Sequence, residues 1–264
     1  MPETDLPQFD TSVANTARIW NYWLGGKDNF AADREAAERV MQAMPALPVM
    51  ARLVRRFLVS AVHQLATEYG IRQFLDIGAG LPAADNTHEV AQRALPAARI
   101  VYVDYDPVVI SHSRALLISS QEGTTDYVHA DLRDTSRILT EAARTLDFGQ
   151  PVAILLISVL HFIPWAEDPF AVVSRLMGAV PSGSYLALVH AASDIAAEGE
   201  PEARQRYNQM TSVQFTPRSH GEVARFFGGL DTTGPGLVPI SHWGVGADKP
   251  AASLAAYCGI GRKP

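Results

Sequence analysis

Phe74-Leu75-Asp76-Ile77-Gly78-Ala79-Gly80-Leu81-Pro82-Ala83 is the stretch on which the fold turns. A strand-like apolar run ends in a glycine turn, and such a turn after a first strand lets a ligand come close to the backbone. Gly78-x-Gly80-x-x-Ala83 also fits the loose dinucleotide fingerprint, a weak signal when it stands alone. The next run, Ile100–Asp104, closes as Val103-Asp104-Tyr105-Asp106-Pro107. An acid at the end of a second strand can accept hydrogen bonds from ribose hydroxyls. Glycine turn and strand-end acid together predict an adenosine site.

Further along, the runs Tyr127–Ala130, Val152–Ser158 and Tyr185–His190 alternate with helical stretches, Thr87–Ala94, Val108–Ser119, Ser136–Leu146 and Phe170–Val180. That alternation predicts an α/β fold, a mostly parallel sheet with helices on both faces. In the other direction the chain reads as helices. Thr11–Leu24 and Asp28–Met44 are amphipathic, with Asp28 as expected N-cap, and Pro48–Tyr69 keeps a 3.6-residue apolar period up to Gly70. Residues 1–70 are therefore expected as a helical cap packed on a core of residues 71–264. After the fifth run the chain turns polar through Ala191–Pro217, with one helix around Glu200–Met210. A helix at Ser219–Phe227 follows. The segments Gly236–Ile240 and Ala255–Ile260 are expected to pair as an antiparallel hairpin, for seven strands in all, five of them parallel.

Composition narrows the function. A 47% hydrophobic chain of 264 residues can bury a large core. Its net charge of −6 and the lack of any basic run longer than Arg55–Arg56 argue against nucleic-acid binding. The single cysteine, Cys258, excludes an internal disulfide and a cysteine-based zinc site, and no histidine pair has metal-ligand spacing. The opening, Met1–Thr16, lacks a leader pattern, and the longest nearly apolar run, Val152–Ile163, is too short to span a membrane. A cytoplasmic protein without a metal is the expectation.

Nicotinamide enzymes and S-adenosylmethionine (SAM) enzymes both use such an adenosine site. Asp76 lies inside the first strand, where a carboxylate would repel a pyrophosphate but could hold the ammonium group of SAM. Asp131, after the third strand, can reach an adenine amino group, and no Tyr-x-x-x-Lys pair is present. These features favour SAM over a nicotinamide cofactor. Phe74-Leu75-Asp76-Ile77-Gly78-Ala79-Gly80, Val101-Tyr102-Val103-Asp104-Tyr105-Asp106-Pro107 and Ala130-Asp131-Leu132-Arg133-Asp134 resemble the three cofactor motifs of class I SAM-dependent methyltransferases. Ala17-Arg18-Ile19-Trp20-Asn21-Tyr22-Trp23-Leu24-Gly25-Gly26-Lys27-Asp28-Asn29-Phe30, with Gly80-Leu81-Pro82 and Asn86-Thr87-His88-Glu89-Val90-Ala91-Gln92, is similar to an actinobacterial methyltransferase family long known as a domain of unknown function (DUF574).

The resemblance runs from about Asn15 to Arg262 and implies the seven-stranded Rossmann-like methyltransferase fold, SAM as cofactor and S-adenosylhomocysteine (SAH) as product. It implies no particular acceptor. The expected cofactor contacts are Tyr22, Lys27, Asp76, Gly78, Ala79, Gly80, Asn86, Asp104, Tyr105, Asp131, Leu132 and Ser158. The segment Asn21–Phe30 would close over SAM, with Tyr22 shielding the sulfonium and Lys27 near the carboxylate. Pro82 replaces the usual third glycine of the superfamily, so the following helix is expected late, near Asn86, with Asn86 and Glu89 as its capping box.

Ser158 and His161 follow the fourth strand and should stand at the cofactor's edge. His161 is expected either to place the acceptor or to take its proton, and His190, ending the fifth strand, is the rival base. Arg204, Tyr207, Gln209 and Phe215 are candidate substrate contacts. A small-molecule acceptor fits the acidic charge and the partly apolar cap. A non-catalytic SAM-binding protein is the first alternative, and an NAD(P)-dependent oxidoreductase the second.

Overall fold

Each leading apolar run of the sequence forms a strand: β1 (Gln73–Ile77), β2 (Arg99–Asp104), β3 (Thr124–His129), β4 (Ala153–Ile157) and β5 (Tyr185–Ala191). The computed structural model describes residues 10–244 and 254–264, so most of the opening segment and the stretch 245–253 lie outside it. β1 to β5 are parallel. The full order is β3-β2-β1-β4-β5-β8-β6, where β8 (Ala256–Arg262) runs antiparallel to β5.

The expected closing hairpin is present in broken form. The far edge of β8 carries two fragments, β6 (Asp231–Thr232) and β7 (Val238–Pro239). Pro235 and Pro239 lack the N–H that a continuous ladder needs, so the seventh position of the sheet is shared by two short pieces. β3 starts three residues before the expected run. It is the edge strand, and its first residues, Thr124 to Asp126, stay partly open to solvent, so they carry no apolar signature.

The helices are α1 (Thr16–Trp23), α2 (Ala31–Ala43), α3 (Leu47–Thr67), α4 (Thr87–Ala94), α5 (Pro107–Leu116), α6 (Thr135–Ala142), α7 (Pro169–Gly178), α8 (Glu200–Met210) and α9 (His220–Ala224). α1 begins later than its amphipathic pattern because Asn15 caps it, its Oδ1 accepting from the Ala17 and Arg18 amides at 2.8 and 3.4 Å. Asp28 is not the cap of α2. Phe30 holds that position, and the acid that serves the helix start is Asp33, which accepts the Phe30 N–H at 2.8 Å. Asp33 is fully buried; it also accepts the Asn15 N–H at 2.9 Å and pairs with Arg18 Nε at 2.8 Å, tying α1 to α2.

Three apolar clusters organise the molecule. One sheet face packs α6 and α7, through Ile138, Val172 and Leu176 among others. The opposite face packs the long α3, whose Val54, Phe57, Leu58, Ala61 and Leu65 meet Phe74, Ile100, Leu155 and Ala187. The third cluster lies off the sheet and joins α1 and α2 to Ala203 and Tyr207 of α8. Gly199, just before α8, has φ +78°, and a Cβ there would overlap the Ala43 carbonyl oxygen at the end of α2. Arg206 reinforces this seam by donating to the Arg39 carbonyl at 2.6 Å.

Candidate active site

The strand order reverses between β1 and β4, and the crevice at that switch point is where open α/β sheets hold ligands. The turn after β1 is shaped for it. Gly78 and Gly80 have φ of +76° and +67°, and the Gly78 N–H donates to the Val103 carbonyl at 2.8 Å. A Cβ at Gly78 would stand 2.6 Å from Val159 Cγ2, whereas one at Gly80 would meet open space. Glycine is thus needed for packing at the first position and presents bare backbone to the crevice at the second.

Asp104 ends β2 beneath this turn. Its Oδ2 accepts the Gly80 N–H at 3.0 Å and its Oδ1 the Asp106 N–H at 2.9 Å. Burial pushes its pKa up to about 6 against the pull of those amides. Asp76 is buried inside β1. Its Oδ2 accepts the Thr87 hydroxyl at 2.6 Å, and its other oxygen takes no hydrogen bond among the described residues. Burial raises Asp76 to about 6 as well, opposed by Thr87 and by the positive charge of Arg55. Arg55, on α3, donates to the Ala84 carbonyl at 2.8 and 3.1 Å, locking the loop that leads into α4. The capping box of α4 is present, with the Asn86 N–H donating to Glu89 Oε2 at 2.8 Å.

These groups line a cleft of about 960 Å³, its mouth included, between the glycine turn, Asp76, Asp104, Tyr105 and Ser158 below and α1 above. Thr16 on α1 reaches across to the Tyr105 hydroxyl, 3.4 Å away. A second hollow of about 680 Å³, its mouth included, lies alongside, bounded by α1, α2, α3, α8 and the ends of β4 and β5. The two share Trp20, Val54 and Ser158 as walls. Ser158 holds φ +58°, a left-handed conformation that costs a non-glycine residue roughly 1–2 kcal/mol.

His161 lines the second hollow and is 5% exposed. Neither ring nitrogen has a hydrogen-bond partner among the described residues, and Nδ1 is wholly enclosed. Phe162, Phe215 and His190 surround the ring at centroid distances of 4.4, 4.6 and 5.6 Å. Burial, and then the His190 and Arg218 charges, hold its pKa well below the usual imidazole value. His190 is not free to act as the rival base. Its Nδ1–H donates to the Ala191 carbonyl at 2.8 Å, and its Nε2 accepts from Arg218 Nη1 at 2.8 Å. Both nitrogens are spent, and burial pushes its pKa down to about 3.

The remaining expected residues are scattered. Gly78, Ala79, Gly80 and Tyr105 line the cleft. Tyr22 does not: its hydroxyl donates to Glu38 Oε1 of α2 at 2.8 Å, and the preceding Asn21 lines the cleft in its place. Lys27 is exposed beyond the cleft walls. Asn86 accepts from the Ala83 amide at 3.1 Å, shaping the loop from behind. Asp131 pairs with Arg133 at 2.8 Å, and Leu132 is packed in the core. Arg204, Tyr207 and Phe215 line the second hollow, while Gln209 is exposed. Trp20, Val54, Arg55 and Arg218 are additions to the expected set. Arg55 and Val54 sit in a helix whose regular period reads as packing, so only the fold reveals their second role.

The model of the S-adenosyl methyltransferase family matches residues 2–264. The chain belongs to this family. A DUF574 family protein from Streptomyces avermitilis is 40% identical, covering 97% of this chain and 100% of its own, with a TM-score of 0.93. A candidate methyltransferase from Thermobifida fusca is 36% identical over 97% of both chains, with a TM-score of 0.87. At 10% identity and a TM-score of 0.52, a SAM-dependent methyltransferase from Anabaena variabilis shares the fold. No curated protein matches the chain. The protein is a SAM-dependent methyltransferase, and its cofactor is SAM. The cleft fits that cofactor. An open glycine backbone, a strand-end carboxylate and a buried second carboxylate with one unbonded oxygen face the same space.

Proposed function

We propose that this methyltransferase acts on a small molecule held in the second hollow, and that Trp20, Val54 and Ser158 form the passage through which the methyl group moves. The observation that carries this reading is the shared wall between the two hollows. The second hollow's size, about 680 Å³ with the mouth included, and its mostly apolar lining are those of small-molecule sites.

When bound, SAM supplies an electrophilic methyl on a sulfonium. The protein's own contribution is placement and exclusion of water. Asp104 would accept from the ribose hydroxyls, Asp76 would offer its unbonded oxygen to the ammonium group, and the turn around Gly80 would pass beneath the amino-acid tail. α1 closes the cleft from above, joined to the floor by Thr16 and Tyr105. Neutral His161 would orient the acceptor through a ring nitrogen that has no protein partner.

Radiolabelled SAM offered with separate small-molecule, protein and nucleic-acid fractions of a bacterial extract tests the reading. Label should move into the small-molecule fraction. Label confined to protein or nucleic acid would refute it. Tight SAM binding with no label transfer to any fraction would favour a non-catalytic binder.

A further inference from the structure

The second hollow has apolar walls, part aliphatic and part aromatic, and few polar groups. Trp20 and Trp23 of α1 meet edge to face at 5.8 Å, and Tyr207 and Phe215, also 5.8 Å apart, line the same hollow. Flat aromatic surfaces favour a flat ligand. On α8, Glu200 and Arg204 lie 3.7 Å apart and offset part of each other's charge, and Glu200 Oε1 is enclosed without a hydrogen-bond partner among the described residues. His161 and Ser158 remain as the polar groups at the passage to the cofactor cleft.

What stands behind His161 sets the sign of the potential there. Arg218 is 0% exposed. It donates to the Leu160 and Ile163 carbonyls at 3.1 and 2.7 Å and to His190 Nε2. No acidic side chain lies within ion-pair distance of it among the described residues. A buried cation whose acidic neighbour, Glu222, stays beyond ion-pair distance makes its near surroundings positive, and the His190 ring, 5.6 Å from that of His161, connects it to the hollow.

Resting on the reading of this hollow as the acceptor site, we infer that the acceptor is a flat aromatic hydroxy compound of the phenol or naphthol type, its ring against the aromatic side chains and its oxygen at His161 and Ser158. A positive potential favours a hydroxyl oxygen that is giving up its proton. It opposes an amine, whose methylation would create a cation at the same place. An oxygen lone pair forms the new O–C bond while the methyl–sulfur bond breaks and leaves its electron pair on sulfur. The hydroxyl proton is lost to water. A neutral phenol and the sulfonium thus give a neutral ether, neutral SAH and one proton.

The test uses the full-length protein saturated with SAH and matched hydroxy, methoxy and amino forms of benzene, naphthalene and anthracene. Binding is followed by quenching of tryptophan fluorescence. For at least one ring system the hydroxy form should bind about tenfold or more tighter than both partners, the difference expected from a buried hydrogen bond to a polar group otherwise left unpaired. With SAM in place of SAH, the same compound should gain one methyl mass. Equal binding within every set, preference for an amine, or no binding of any set by protein that binds SAH in calorimetry would overturn the inference. Methylation of a non-aromatic small molecule from the extract, without a hydroxyl preference, overturns this inference and leaves the proposed function standing. Label found only on macromolecules overturns both.

Discussion

At Asp104, burial and backbone hydrogen bonds pull in opposite directions. The apolar surroundings favour the neutral acid, while the Gly80 and Asp106 amides favour the carboxylate. The outcome is a group near 6, as it is for Asp76. A carboxyl whose pKa is raised by folding adds stability below its unfolded value near 4, and that contribution fades as pH rises through 6. The ligand-free protein should therefore lose melting temperature from these two groups between about pH 4 and 6. On the proposed placement of SAM, binding runs the other way, because the ribose and ammonium groups would need the ionised forms. SAM affinity by calorimetry should be at its full value above pH 7 and weaken as pH falls below 6. Asp104→Ala should cost on the order of 1.5–3 kcal/mol, roughly 10- to 150-fold in SAM affinity at pH 7.5, in protein of unchanged circular dichroism. Unchanged affinity would remove Asp104 from the ribose site.

Elements differ in how openly the sequence announces them. β1, its glycine turn, β2 and α4 are local structures, each specified by neighbouring residues: an apolar run, two glycines, an acid at a strand end, an Asn–Glu capping pair. The second hollow is built from α1, α2, α3, α8 and two strand ends, and no local pattern encodes a space between distant elements. Arg218 was hidden for the same reason, since the Leu160 and Ile163 carbonyls and His190 that hold it are up to 58 residues away. Tyr22 and Asn21 illustrate the margin: one residue along a helix turns a side chain by about 100°, enough to exchange the cleft for α2. The seam at Gly199 gives this scale its prediction. Gly199→Ala would impose a side chain on a left-handed backbone already against Ala43, costing roughly 1–2 kcal/mol for the conformation and more for the overlap. α8 should shift from α2, so that ligand binding in the second hollow falls at least about tenfold. SAM affinity should stay within about threefold of the parent value, because no residue of α8 lines the cofactor cleft.

Across the whole molecule, β8 follows β5 and β6 in sequence but lies between them in space. It pairs with β5 along that strand's entire length, from Tyr185 opposite Arg262 to Ala191 opposite Ala256. Every residue of β5 is buried. Deleting residues 255–264 should leave β5 as a bare apolar edge, and the shortened chain should move from the soluble fraction to aggregates and high-mass species on gel filtration. A soluble monomer with the cofactor cleft intact would contradict that account.

The same placement of β8 governs how the molecule is made. While the ribosome is still translating the stretch after β7, the first five strands can already be out and paired, yet the face meant for β8 is open and sticky. The nascent chain must wait in that state, and any pause in reading the codons of β8 prolongs its exposure to other unfinished chains and to chaperones. Slow synthesis of this region, helpful to many proteins, is here expected to lower the yield, and rapid synthesis of β8 to raise it.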